Sequence, residues 1–322
     1  MKNEANALQN ARDAVEVGRS VIAVGAGRLA DLSCPDGRLS IELLDRHQIL
    51  AYDLAHGASA VEAGGAILDY GEHGELESLL ARAFVADALW DVGCRLFGRR
   101  NEWGVGLDAL GPAEAFVEEH RHPEFLERLA VDVDRRGAIP TNLPDDFELV
   151  RQTFHRFAAE RVRPVAEHVH RENADIPEEV IAGIAELGGF GLSVPAEYGG
   201  NATGDDSDYL GMLVATEELS WGSLGVGGSL PTRPEVLTRA IVGGGTEEQK
   251  RHWLPRIATG EAMVAVTVTE PDYGSDVANL STTATPVDGG WRVNGVKTWA
   301  TFAGRANTLM LLARTDPDRS LG

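Results

Sequence analysis

Val266-Thr267-Val268-Thr269-Glu270-Pro271-Asp272-Tyr273-Gly274-Ser275-Asp276-Val277 is the stretch at which the chain changes character. From Met263 to Thr269 it is rich in Val and Thr, as strands are, because branched side chains pack well on a pleated surface. Pro271 and the Gly274-Ser275 pair then interrupt the run. Further on, Asp288-Gly289-Gly290 separates Leu280–Val287 from Trp291–Val296 and predicts a hairpin, since its tight turn needs residues that tolerate positive φ. Thr308 to Arg314 reads as one more strand, and the text after Asp316 reads as loop.

Before Met263 the apolar residues follow the helical period. Leu43, Leu44, Ile49, Leu50, Leu54, Val61, Ile67 and Leu68 make one run, and Leu76, Leu79, Leu80, Phe84, Leu89, Val92 and Leu96 a second. Tyr70-Gly71-Glu72-His73-Gly74 breaks them apart, so two long antiparallel helices are expected. Asn101 to Pro112 is less regular, Glu114 to Leu129 is again helical, and Gly137 to Pro144 reads as a linker. Phe147, Val150, Phe154 and Phe157 then form one apolar helical stripe. Pro164 should kink or end that helix, because it lacks an N–H and its ring crowds the preceding turn. Helices are expected over 177–187, 209–219, 233–242 and 246–257, the last opened by the capping-box text Thr246-Glu247-Glu248-Gln249. The expected fold is α+β. A helical extension (1–140) and a second helical domain (141–262) precede the first strands of an antiparallel β domain (263–322).

Composition narrows the function classes. A net charge of -21 repels phosphate backbones and anionic lipid, so neither nucleic acid nor a membrane surface is an expected partner. A polyanionic small ligand would need a local exception to that field. Cys34 and Cys94 have no metal-like spacing and read as free, buried thiols in a reducing compartment. The polar start Met1-Lys2-Asn3-Glu4 has no signal-peptide core, and no apolar run reaches the roughly 18 residues of a spanning helix, so a cytoplasmic protein is expected.

Three patterns mislead. Gly25, Gly27 and Ala30 match a dinucleotide-loop spacing, but their flanks look helical and no βαβ unit follows, so a helix-turn connection is expected. Glu118, Glu119, His120, His122 and Glu124 invite a metal reading, yet charges before Pro123 more often form a solvated helix end; no metal is expected. The glycines at 225, 227, 228 and 243–245 are not followed by Gly-Lys-Ser/Thr and read as helix ends and packing points.

Several motifs, in order, carry a resemblance. They are Gly188-Gly189-Phe190-Gly191-Leu192-Ser193-Val194-Pro195-Ala196-Glu197-Tyr198-Gly199-Gly200, then Gly245 to Glu261, then Val266 to Val277, then Val293-Asn294-Gly295-Val296-Lys297-Thr298-Trp299-Ala300-Thr301. From about Asp145 to Gly322 the chain resembles the acyl-CoA dehydrogenases. The resemblance implies FAD as cofactor, with Val266, Val268 and Thr269 along the pyrimidine edge of its ring. It sets Trp299 against the ring face turned from substrate, Ala300 beside it, and Thr301 near N5. Ser275 would lie where the pantetheine and pyrophosphate arm passes, in contact with cofactor and substrate. Tyr273, with Asp272, departs from the small residues many relatives carry and falls at the acyl-CoA entrance, as a pocket residue or as an exposed loop aromatic.

The implied reaction is α,β-dehydrogenation of an acyl-CoA: a carboxylate removes the α-proton while the β-carbon gives hydride to the flavin. None of Glu217, Glu218 or Glu270 matches the family's base motif, so no catalytic residue is assigned and the base is expected beyond Gly322. The extension 1–140 resembles family members that act on a short branched acyl-CoA. Its helices from Ile41 to Arg99 look like the family's own C-terminal bundle, as a duplicated, inactive copy would. Electron-transfer flavoprotein and a homodimer or homotetramer are the implied partners. An acyl-CoA or nitroalkane oxidase on the same fold, or a non-catalytic flavin-fold binding protein, are the alternatives.

Overall fold

The computed structural model describes residues 2–205 and 207–316, so the loop expected at 317–322 lies outside the described residues. The chain divides into two compact units, residues 1–142 and 143–322.

The first unit is helical. Helix α1 (Lys2–Ser33) packs on α3 (Gln48–Gly71) and α4 (Glu75–Leu96), with the short α2 (Ile41–Arg46) capped by the Ser40 hydroxyl ahead of α3. α3 and α4 meet across the break read from the sequence, residues 72–74. α5 (Arg100–Trp103), α6 (Gly111–Arg121) and α7 (Pro123–Arg136) complete the unit. Its core closes around Val15, Leu54, Val61, Val85, Val92 and Trp103.

Three expectations need correction here. Gly25 lies inside α1 rather than in a turn, and a Cβ there would sit 2.6 Å from Leu54 Cδ2 and 2.9 Å from Trp103 Cε3. Glycine is thus present so that two helices can touch. His120 is buried, not solvated: its Nδ1 lies 2.8 Å from the Phe116 carbonyl, and its ring packs between Phe116 and Phe125. Both cysteines are free but neither is buried; Cys34 is half-buried and Cys94 exposed.

The second unit begins with α8 (Asp145–Phe157), whose stripe buries Phe154 and half-buries Val150 and Phe157. Pro164 does not end this helix. Residues 158–162 widen into a π-helical turn and α9 (Arg163–Arg171) continues, so the missing N–H falls in the first turn of α9. α10 (Glu178–Glu186), α11 (Ser207–Ser223), α12 (Ser229–Gly244) and α13 (Glu247–Ala258) follow. A second π-helical turn, residues 224–228, links α11 to α12, which starts four residues before the expected Arg233. The capping box is formed in both directions: Gln249 N–H donates to Thr246 Oγ1, and Thr246 N–H to Gln249 Oε1.

The strands form two pairs. β2 (Thr283–Val287) and β3 (Gly290–Asn294) are antiparallel around Asp288-Gly289, with Gly289 at φ +80°. β1 (Val264–Thr267) and β4 (Thr308–Leu311) instead run parallel, Val264 opposite Thr308. The expected antiparallel order therefore holds for one pair only. Forty residues of intervening chain bring β4 back alongside β1 in the same direction, a connection that a hairpin signal does not report. The α+β class stands.

Candidate functional site

β1 ends at Thr267, whose Oγ1 donates to the Met310 carbonyl at 2.8 Å. The next residues, Val268 to Glu270, leave the sheet and are held by a polar clamp. Lys297 Nζ donates to the Val268 carbonyl at 2.8 Å and lies 2.9 Å from Glu270 Oε1, with the two side chains 8% and 1% exposed. Glu270 also accepts from Ser281 N–H, Ser281 Oγ and Thr282 N–H. Burial by itself would push the Glu270 carboxyl up. The hydrogen bonds from Ser281, Thr282 and Lys297 outweigh it and hold the group well below its ordinary range.

The clamp joins the two quoted motifs. Thr298 N–H donates to the Thr269 carbonyl at 2.9 Å, so the segment through Trp299 lies beside the end of β1. Trp299 follows in the left-handed region, φ +58°, with 88% of its surface exposed. A bulky residue in that conformation is uncommon and costs of order 1–3 kcal/mol. Here it turns a large apolar ring outward. Phe302 repeats the conformation at φ +66°, and residues 301–305 form a turn. Thr298 Oγ1 is buried with no hydrogen-bond partner. Among the described residues the hydroxyls of Thr269 and Thr301 have no partner either.

Ala300 and Thr301 line a cleft of about 890 Å³ together with Phe302, Ser223, Gly225 and Val226. Val266, Val268, Thr269 and Trp299 are not among its lining residues. The structure therefore brings the segment around Trp299 beside the end of β1 and sets two of the predicted flavin residues, Ala300 and Thr301, into the cleft. Tyr273 is half-buried and closes a tight turn with Glu270 through paired backbone hydrogen bonds of 2.8 and 3.2 Å. Ser275 is exposed. A Cβ on the neighbouring Gly274 would lie 4.0 Å from Thr269 Cγ2, so nothing inside the chain demands a glycine there.

Two carboxylates near these elements are engaged rather than free. Glu270 belongs to the clamp, and Glu218 is buried between Arg151 Nη1 at 3.1 Å and His155 Nδ1 at 2.6 Å. The clamp role of Glu270 and Lys297 escaped sequence reasoning, which weighed Glu270 only as a base. The signal available was their place inside two motifs that must meet. Among the described residues no group of three His, Cys, Asp or Glu could hold a metal, and no helix is long and apolar enough to cross a membrane.

Residues 144–261 match the acyl-CoA dehydrogenase N-terminal domain, and residues 265–322 the acyl-CoA dehydrogenase middle domain. The (2S)-methylsuccinyl-CoA dehydrogenase of Cereibacter sphaeroides is 34% identical over 327 residues, which take in 96% of this chain and 59% of that protein. The glutaryl-CoA dehydrogenase of Desulfococcus multivorans is 33% identical over 175 residues, 54% of this chain and 44% of that one. A solved glutaryl-coenzyme A dehydrogenase in complex with glutaryl-CoA superposes with a TM-score of 0.50 at 33% identity, over 55% of this chain and 45% of that chain. The chain thus spans roughly half the length of these relatives, and the first of the three alignments runs through both units. With two domains matched in order over more than half of its length, the chain belongs to the acyl-CoA dehydrogenase family.

Proposed function

We propose that this chain forms the flavin-facing strands and a helical wall of a dehydrogenase that introduces an α,β double bond into a short branched acyl-CoA, taking (2S)-methylsuccinyl-CoA to mesaconyl-CoA. The observation that carries the reading is Trp299, exposed in a left-handed conformation directly after Thr298, whose backbone N–H donates to the Thr269 carbonyl. An indole has a large apolar area to bury, and this one is held out by a strained backbone with nothing covering it.

The residues fit an isoalloxazine ring. Trp299 offers a flat apolar face, while Thr269 and Thr301 offer hydroxyls without partners among the described residues. When bound, FAD supplies the two-electron acceptor for hydride from the substrate's β-carbon. Val266 and Val268 fill the edge of the ring site, Ala300 leaves room beside the indole, and the exposed Ser275 meets the pantetheine and pyrophosphate arm. Tyr273 sits at the acyl-CoA entrance. The clamp of Lys297 and Glu270 fixes both segments, and the Glu270 carboxyl is held well below its ordinary range. The base that removes the α-proton lies in the length of the family's proteins that this chain does not span. Electrons then pass to an electron-transfer flavoprotein from a cytoplasmic homodimer or homotetramer.

The test uses the full-length protein. It should purify yellow, and anaerobic addition of (2S)-methylsuccinyl-CoA should bleach the flavin band. A colourless protein that takes up no FAD on incubation overturns the reading, and oxygen consumption on adding substrate would replace the dehydrogenase by an oxidase.

A further inference from the structure

Among the buried polar atoms that find no hydrogen-bond partner, two converge on one place. Ser193 Oγ and Thr238 Oγ1 are both buried and unpaired, and both residues line a cleft of about 700 Å³. Thr238 lies in the second half of α12 and is only 1% exposed. This cleft shares no lining residue with the one that holds Ala300 and Thr301. A hydroxyl buried without a partner forfeits the hydrogen bonds it made to water. Two of them at one cavity mark a place where a group from outside the chain completes the bonding.

The charges around the cleft say what kind of group. Glu197, Asp205 and Asp208 line it, against one cation, Arg239. Arg239 is already engaged: its Nε lies 2.9 Å from Glu235 Oε1, and its guanidinium stands over the Tyr209 ring, 4.3 Å from the centroid. The carboxylates are not used up. Glu197 is exposed, and its side chain forms no hydrogen bond or ion pair among the described residues. Asp205 accepts from Ser207 through Oδ1, which leaves Oδ2 open. Asp208 accepts from Thr203 N–H, Thr203 Oγ1 and Gly204 N–H, three of the roughly four positions a carboxylate offers.

The cleft is thus rich in acceptors and short of donors, which suits a cation, and the net charge of -21 draws cations in. Among the described residues no three His, Cys, Asp or Glu could hold a metal ion. Apolar wall is supplied by Pro195, Ala202 and Met212. Separated ammonium groups on a methylene chain match both features, since each ammonium brings three donors and the methylenes cover apolar surface. We propose that this cleft binds an aliphatic diamine, with one ammonium received by the Ser193 and Thr238 hydroxyls and the other by Glu197.

The experiment titrates the full-length flavoprotein calorimetrically with 1,4-diaminobutane. One saturable site per chain is expected, with hydrogen exchange slowed around Ser193 to Glu197 and along the second half of α12. Thr238→Val keeps the side-chain shape and removes only an unpaired hydroxyl, so the fold survives it. It should weaken binding by roughly 10-fold, the scale of a hydrogen bond to a charged group. Glu197→Gln, at an exposed position, should weaken it by about 2- to 5-fold. Butylamine, with a single ammonium, should bind less tightly than the diamine. Absence of saturable binding overturns the proposal, as does Mg²⁺ displacing the diamine at equal concentration. Undiminished binding in Thr238→Val assigns the hydroxyl to a buried water and overturns it as well.

Discussion

Two tryptophans divide the molecule. Trp103, in the first unit, is fully buried, and a Cβ at Gly25 on α1 would lie only 2.9 Å from its ring. Trp299, in the second, is 88% exposed on a backbone that costs energy to maintain. One unit has used its largest apolar group to close its own core. The other keeps an equally large group outside, held by a polar clamp and not by packing. Exposure of that kind is hard to explain by folding alone, and it separates the scaffold of this chain from its working edge.

The largest effects should come from breaking that contrast directly. Trp103→Ala should cost about 3–5 kcal/mol of unfolding free energy in denaturant titrations, from lost burial and the cavity left behind. Trp299→Ala should change stability in the absence of flavin by less than about 0.5 kcal/mol, yet release FAD from the full-length protein on gel filtration. Equal destabilisation by the two would erase the distinction. Next, Lys297→Met should cost about 3 kcal/mol, because it leaves the Glu270 carboxylate buried without its cation. Hydrogen exchange should localise the loss to the ends of β1 and β2, and an unchanged exchange pattern would remove the clamp from the argument.

The smallest effect is an acid response that differs between the units. Burial lowers the His120 pKa from its ordinary 6.5, so the unfolded chain takes up a proton that the folded one refuses. The stability this lends is present above 6.5 and is lost as pH falls through the lowered folded value. Glu270 is depressed from 4.5, so its contribution is present above 4.5 and is lost only at more acid pH. Amide protection should therefore weaken in residues 1–142 first as pH falls below 6.5, and His120→Gln should abolish that early phase. Protection in this unit that stays flat through the same pH range would show that His120 is not the sensor.

Much of this was legible in the text of the chain, unevenly. The break at 72–74, the capping box at Thr246 and the hairpin at Asp288-Gly289 depend on residues a few positions apart, and each appears where it was read. Pro164 was read correctly as a disturbance but not as a π-helical turn; the chain continues helically past it, with Val165, Ala166 and Val169 partly buried against the core that Phe154 and Val162 join, a tertiary contact that local spacing does not report. His120 looked solvated because its sequence neighbours are charged; the residues that cover it include Phe125, on the next helix. The residues expected at the flavin were read from motifs, while the stacking of Arg233 over Phe302 joins positions 69 apart and is written in neither motif.

The sequence alone determined the helical and strand periods, the α+β class and the family, because these are written in local spacing and in motifs that keep their order. Only the tertiary structure decided that β1 and β4 run parallel and that Lys297 and Glu270 pair with each other out of water. The pairs that meet are separated by 44 and 27 positions, and whether a charge is matched depends on what the fold brings beside it, which no local pattern encodes.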